Sequence, residues 1–214
     1  PISYQVQVPR AGQTLDNGVA QWDLGNIGLF VQDTWAVNYN LTIVAGLRYD
    51  RTRMPDSPLR NAAAVAAFGF DNSQTLDGNG LLQPRLGVNY TFDTERATQL
   101  RGGIGLFEGS AANVWLSNPY SNTGIATAVI GCGISGFGNC PTTGAGIFNP
   151  DPNQQVTNFA GAIPASNVDF LSPDLRQPAV WKANIAFDHE TPFFGAIFSA
   201  ELLLTEVEHG VYYR

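Results

Sequence analysis

From Ile27 to Asp50 apolar and polar residues alternate on either side of Asn38-Tyr39-Asn40, the period of two that marks strands rather than the 3.6 of a helix. Ile27, Leu29, Val31, Trp35 and Val37 share one face of the first arm, and Leu41, Ile43, Ala45, Leu47 and Tyr49 share one face of the second. The opposite faces carry Phe30, Gln32 and Thr34, then Thr42, Val44, Gly46, Arg48 and Asp50. The pattern predicts a β-hairpin with one oily and one wet face. It recurs twice. Leu82, Pro84, Leu86, Val88, Tyr90 and Phe92 alternate with Gln83, Arg85, Gly87, Asn89 and Thr91, and after a short turn Leu100, Ile104 and Leu106 oppose Arg101, Gly103, Gly105 and Phe107. Trp181, Ala183, Ile185 and Phe187 then oppose Lys182, Asn184 and Asp188, with a last strand from Ala196 to about Val207. The three hairpins cover residues 24–54, 81–108 and 178–207.

The connections sort by length. Turns at Asn38 to Asn40, Asp93 to Thr98 and Thr191 to Gly195 are short, whereas residues 55–80 and 109–177 are long and rich in turn chemistry. A soluble sandwich has no reason to separate its connections in this way, while outer-membrane barrels have short periplasmic turns and long extracellular loops. Strands of about 10 to 14 residues also suit a tilted crossing of a bilayer better than the ~5 to 6 of soluble sheets. The expected fold is therefore all-β: six or seven strands of an antiparallel transmembrane β-barrel. Within 55–80 one helical turn is expected. The piece from Ile2 to Val8 is expected to end a strand or loop that begins upstream, and the stretch after Gly109 is expected to be an aperiodic loop.

Composition supports this reading. Only 14% of residues are charged, against roughly 25% in soluble domains, so something other than water faces part of the surface. Mean hydropathy is only -0.06, and no run approaches the ~18 apolar residues of a membrane helix. A barrel escapes that test because alternation averages its hydropathy away. A net charge of -7 with no basic cluster excludes nucleic acid as a partner. Cys132 and Cys140 are expected to close a disulfide loop in an oxidising compartment. No signal peptide is visible, so the start of an exported protein is expected upstream of this stretch.

Chemistry-bearing motifs are few. Asp77-Gly78-Asn79-Gly80 lacks the glycine and glutamate of a calcium loop, with Leu82 and Val88 in their places. Gly133-Ile134-Ser135-Gly136-Phe137 lacks the second glycine of a nucleophile elbow, and neither histidine has a triad context. No enzyme activity, cofactor or metal is expected. Arg48, Arg85, Arg101, Lys182 and Glu201 fall on the wet face and are expected to point inward, as a ligand path or as ion pairs in a polar lumen. Trp35, Tyr90, Phe92 and Trp181 are expected in an interfacial girdle beside the short turns, with Leu29 and Ile43 facing lipid at mid-bilayer. In the longest loop the scattered aromatics are expected either to fold the loop upon itself or to meet a ligand, with Trp115, Tyr120 and Phe137 the candidates for ligand contact.

Phe30-Val31-Gln32-Asp33-Thr34-Trp35, followed by Leu41-Thr42 and Gly46-Leu47-Arg48-Tyr49-Asp50, resembles a barrel hairpin of TonB-dependent outer-membrane transporters. Pro84-Arg85-Leu86-Gly87 with Leu100-Arg101-Gly102-Gly103-Ile104-Gly105-Leu106-Phe107 is similar to the next hairpin of that barrel. Trp181-Lys182-Ala183-Asn184 and Gly210-Val211-Tyr212-Tyr213-Arg214 resemble the Oar-like subgroup, which begins with a carboxypeptidase-regulatory-like domain. The resemblance covers most of residues 24–214 and implies an internal fragment of a barrel of about 22 strands around a plug. It further implies lipid around the barrel, an unknown extracellular ligand, and a TonB-type energy coupler acting through an N-terminal part that this chain does not include. The alternatives are a passive porin-like or adhesive outer-membrane barrel and, further off, a secreted soluble glycan-binding β-sandwich.

Overall fold

The computed structural model describes residues 3–135, 138–140, 149–151, 154 and 166–213. The elements in chain order are β1 (Tyr4–Pro9), a 3-10 turn (Asp16–Gly18), β2 (Gly25–Ala36), β3 (Leu41–Arg53), α1 (Ala62–Phe68), β4 (Gly80–Thr91), β5 (Thr98–Glu108), α2 (Asn113–Ser121), β6 (Thr127–Cys132), β7 (Ala179–Glu190) and β8 (Ile197–His209). They divide into two compact units. One comprises residues 1–23, 56–75 and 113–173, and the other residues 24–55, 76–112 and 174–214.

The second unit is a six-stranded antiparallel sheet in the order β2-β3-β4-β5-β7-β8, open at β2 and β8. Three short turns join its hairpins. In the first, Asn38 Oδ1 accepts the backbone N–H groups of Asn40 and Leu41, both at 2.9 Å, an Asx arrangement that fixes the reversal. Strand β2 stops at Ala36, so Val37 belongs to this turn, where its N–H bonds Leu41 O at 2.9 Å. In the third turn Phe194 and Gly195 both adopt positive φ, 55° and 66°. Such a pair matches the twist of a tight hairpin, but a bulky side chain seldom occupies this region.

Pairing between β4 and β5 runs only from Arg85 to Thr91 against Gln99 to Gly105. Phe92 donates its N–H to Thr98 O, so the even-numbered positions of this stretch address β5. Pro84 is the next such position and has no N–H to give. Gln83 repairs the gap: its Oε1 accepts the N–H of Glu108 at 3.0 Å, and its amide donates to Asp50 Oδ2 at 2.5 Å.

The first unit contains structure where an aperiodic loop was expected. Strand β1 pairs with β6 along its whole length, Tyr4 opposite Cys132 and Pro9 opposite Thr127. The N-terminal alternation therefore makes a ribbon with the long connection. Helix α1 is longer than one turn. Asn61 Oδ1 caps it by accepting Ala64 N–H at 3.0 Å, and Gly69, at φ 75°, ends it in the left-handed conformation that glycine adopts freely. Helix α2 buries Leu116 and Tyr120. Cys132 and Cys140 form a disulfide.

Candidate functional site

Register assigns every strand residue of the sheet to a face. One face carries Leu29, Val31, Leu47, Leu86, Val88, Ile104, Ile185, Leu202 and Leu204. The other carries Gln32, Arg48, Asp50, Gln83, Arg85, Asn89, Gln99, Arg101, Lys182, Asn184, Asp188 and Glu201. The five charged candidates thus lie on one face of one sheet. Asp33, paired with Ala45, breaks the sorting in the middle of the apolar face, and Arg51 and Glu206 do so toward its long-connection end, opposite Ile27 and Trp181. Alternation read from Ile27 to Trp35 passes through Asp33.

The polar face is cross-braced. Arg48 grips Asp50 through two parallel contacts, Nε to Oδ2 at 2.5 Å and Nη2 to Oδ1 at 2.8 Å, a geometry that suits a guanidinium to a carboxylate. Glycine at position 28 leaves room for this pair, since a Cβ there would collide with both side chains. Arg101 Nε meets Asp188 Oδ2 at 2.8 Å, Gln99 donates to Asn89 at 2.5 Å, and Asn184 donates to Glu201 Oε1 at 2.8 Å. Arg85 instead lies with its guanidinium 5.4 Å from the centre of the Phe107 ring. The Lys182 side chain makes no hydrogen bond or ion pair among the described residues.

The apolar face ends in aromatics at two levels. Trp35, Tyr90 and Phe92 lie toward the short turns, with the last two rings edge-on at 4.9 Å. Trp181 does not join them. It stands near the start of β7, two residues after Ala179, and so occupies the long-connection end of the sheet, where its indole donates to Glu208 Oε2 at 3.1 Å. Tyr49 is on the same face and also toward that end. Leu29 pairs with Tyr49 and Ile43 with Trp35, so both stand level with an aromatic; Leu47, Leu86 and Ile104 occupy the band between.

In the first unit, the ligand-contact candidates separate. Trp115 is half exposed on the first turn of α2. Tyr120 is buried, stacked on Trp22 at 5.7 Å, and its hydroxyl donates to the backbone carbonyl of Asp56 at 2.5 Å. Burial, with the Asp56 charge second, pushes its hydroxyl up to about 12. Tyr120 is a packing residue, not a contact for ligand. Phe137 lies outside the described residues. The longest connection instead brings Phe170 to Phe68 and Phe70, with ring centres 5.8 and 6.5 Å apart and Phe68 and Phe70 well exposed. The Phe68-Gly69-Phe70 run was the available signal for this cluster.

A clasp closes the α1 connection. Asp71 accepts from Arg60 Nε at 2.9 Å and from Ser73 through its hydroxyl at 2.7 Å and its N–H at 2.9 Å. Arg60 foremost, then Ser73, lower its pKa from 3.8 to about 2. A folded value below the unfolded one means that the clasp contributes fully above the unfolded pKa and is lost as pH falls through about 2. A carboxyl carbon titration by NMR is expected to place Asp71 near that value; a midpoint at the unperturbed 3.8 would show the clasp to be open.

A family model described as "Outer membrane beta barrel domain" matches residues 6–197. The chain belongs to this family. As an outer membrane beta barrel domain, it is located in the bacterial outer membrane, and its one-sided sheet has the form that location requires: apolar residues toward lipid and polar ones away from it. The match extends over the β1–β6 ribbon and both helical connections as well as the sheet. No curated protein and no solved structure matches the chain.

Proposed function

We propose that this outer membrane beta barrel domain is part of the wall of a TonB-dependent, Oar-like transporter, in which surface loops capture a ligand that then crosses the barrel when an energy coupler moves a plug. The observation that carries the reading is the braced polar face, backed by glycines at 28, 46, 87, 103 and 105. A wall that closely surrounds a plug needs fixed charges and few projecting side chains. The motif from Phe30 to Trp35 adds the resemblance. An open sheet cannot remain in lipid with its edge hydrogen bonds unmade, so strands outside this chain complete the barrel on β2 and β8.

The rival is a passive, porin-like barrel, which has the same outward pattern. Planar-bilayer recordings on the full-length protein separate them. The transporter is expected to show almost no steady conductance until urea loosens its plug, and to bind the periplasmic domain of an energy coupler. A stable open conductance without urea, and no coupler binding, would overturn the transporter reading in favour of the porin.

A further inference from the structure

The polar face holds one unbalanced spot. Of its four cations, Arg48 is bound to Asp50 and Arg101 to Asp188. Glu201 is engaged by Asn184. Arg85 and Lys182 are left without a carboxylate in contact among the described residues. They share one row of the sheet, Gly46–Arg85–Gly105–Lys182, separated only by β5. Two strand spacings place their backbones roughly 10 Å apart, within reach of a single small ion for two long side chains.

The floor of the row is shaped as well as charged. Position 105 has no side chain, and the Phe107 ring lies over it: a Cβ there would come within 3.1 Å of that ring and 3.2 Å of Arg85 Cβ. Gly46 on the other flank leaves space for the Arg85 stem, 3.0 Å from where a Cβ would stand. Arg85 Nε is enclosed and has no hydrogen-bond partner among the described residues. A buried donor left unmet costs about 1–3 kcal/mol, so an acceptor at this point would be well rewarded. Asp50 is within electrostatic reach of Arg85 but already holds Arg48 and Gln83.

We propose that Arg85 and Lys182, with Phe107 between them, bind the carboxylate or phosphate of a small organic anion whose apolar body rests on the Phe107 ring. This rests on the reading that the polar face lines the barrel interior, and it names the class of solute that the wall favours. Each cation supplies a charge-assisted bond to oxygen, and the guanidinium offers a fork for two. The ring supplies the contact that distinguishes an organic anion from an inorganic one.

The test is calorimetric titration of benzoate, with acetate for comparison, into the detergent-solubilised full-length protein. Benzoate is expected to bind saturably and more tightly than acetate. Arg85→Gln and Lys182→Gln are each expected to weaken it at least tenfold, whereas Lys182→Arg restores it and Arg101→Gln leaves it unchanged. Heat-modifiable gel mobility establishes that each variant is folded, and the exposed Lys182 provides the second variant should Arg85→Gln fail to fold. Absence of saturable benzoate binding in the wild type, or binding indifferent to Lys182→Gln, would overturn the proposal. A membrane-impermeant thiol reagent on Lys182→Cys in intact protein tests the underlying reading separately. Labelling without benzoate binding defeats only the anion site; failure to label defeats the interior assignment itself.

Discussion

Ile104→Arg is expected to lower the stability of the intact barrel in lipid by about 2–4 kcal/mol, the cost of a cation near the middle of the bilayer. Ile104 is half exposed on the apolar face and pairs with Leu86 on one side and Ala183 on the other. None of these offers a partner to a guanidinium. Trp35 and Tyr90 mark one end of this face and Tyr49 and Trp181 the other, and Ile104 stands between those levels. Arginine at Leu29 or Ile43 is expected to cost less, because from a girdle level the side chain can reach the headgroups. Gln32→Arg, on the polar face of β2, is the control and should cost little. The measurement is a guanidinium titration of the full-length protein refolded into phosphatidylcholine vesicles. Equal tolerance at positions 104 and 32 would reverse the assigned faces.

Gln83→Met is expected to cost about 1–3 kcal/mol, since the Glu108 N–H loses its partner while Asp50 keeps Arg48. The side chain is buried at 3% exposure, so water cannot take over its bonds. Methionine keeps the volume and removes both the acceptor for the Glu108 N–H and the donor to Asp50. The loss falls where Pro84 has already removed a main-chain donor, so β4 and β5 should separate further toward the long connections. Hydrogen exchange at Leu106 and Glu108 would show this as faster exchange than in the wild type. Unchanged exchange together with an unchanged unfolding midpoint would mean that the Gln83 bridge is dispensable.

The hairpins were legible because a period of two survives any context in which one face is oily and the other wet. The turn at Asn38 to Asn40 was legible for a related reason: asparagine makes its own local hydrogen bonds. What escaped was non-local or masked by the pattern itself. Nothing in Tyr4 to Pro9 announces a partner in Thr127 to Cys132, about which the side-chain bond from Gln7 to Thr127 spans 120 residues. Asp33 was passed over because its neighbours at 31 and 35 fit an apolar stripe. Trp181 was assigned to the wrong rim, although its position just after the longest connection and well before the turn at 191–195 was available from chain order. Tyr120 looked like a ligand contact because a tyrosine in a polar loop usually has a free face; helix α2 and Trp22 cover this one.

Within the candidate site, charge was legible and pairing was not. Alternation alone put Arg48, Arg85, Arg101, Lys182 and Glu201 on one face. Which of them neutralise one another depends on register across strands as far apart as Arg101 and Asp188, 87 residues along the chain. Only the paired sheet reveals that the glycines at 46 and 105 flank Arg85 and that no carboxylate among the described residues meets Lys182.

The unit that holds both helices and the β1–β6 ribbon is assembled from three stretches of chain, with sheet strands threaded between them. Its parts are therefore not exchangeable cassettes. Transplanting the stretch around β6 into a relative would strand β1 without its mate, and replacing the α1 connection would remove Asn61, whose amide donates to Thr123 O in another of the three. Any lineage that remodels this unit must change several distant stretches in concert, so variation here should appear as linked blocks instead of independent point changes.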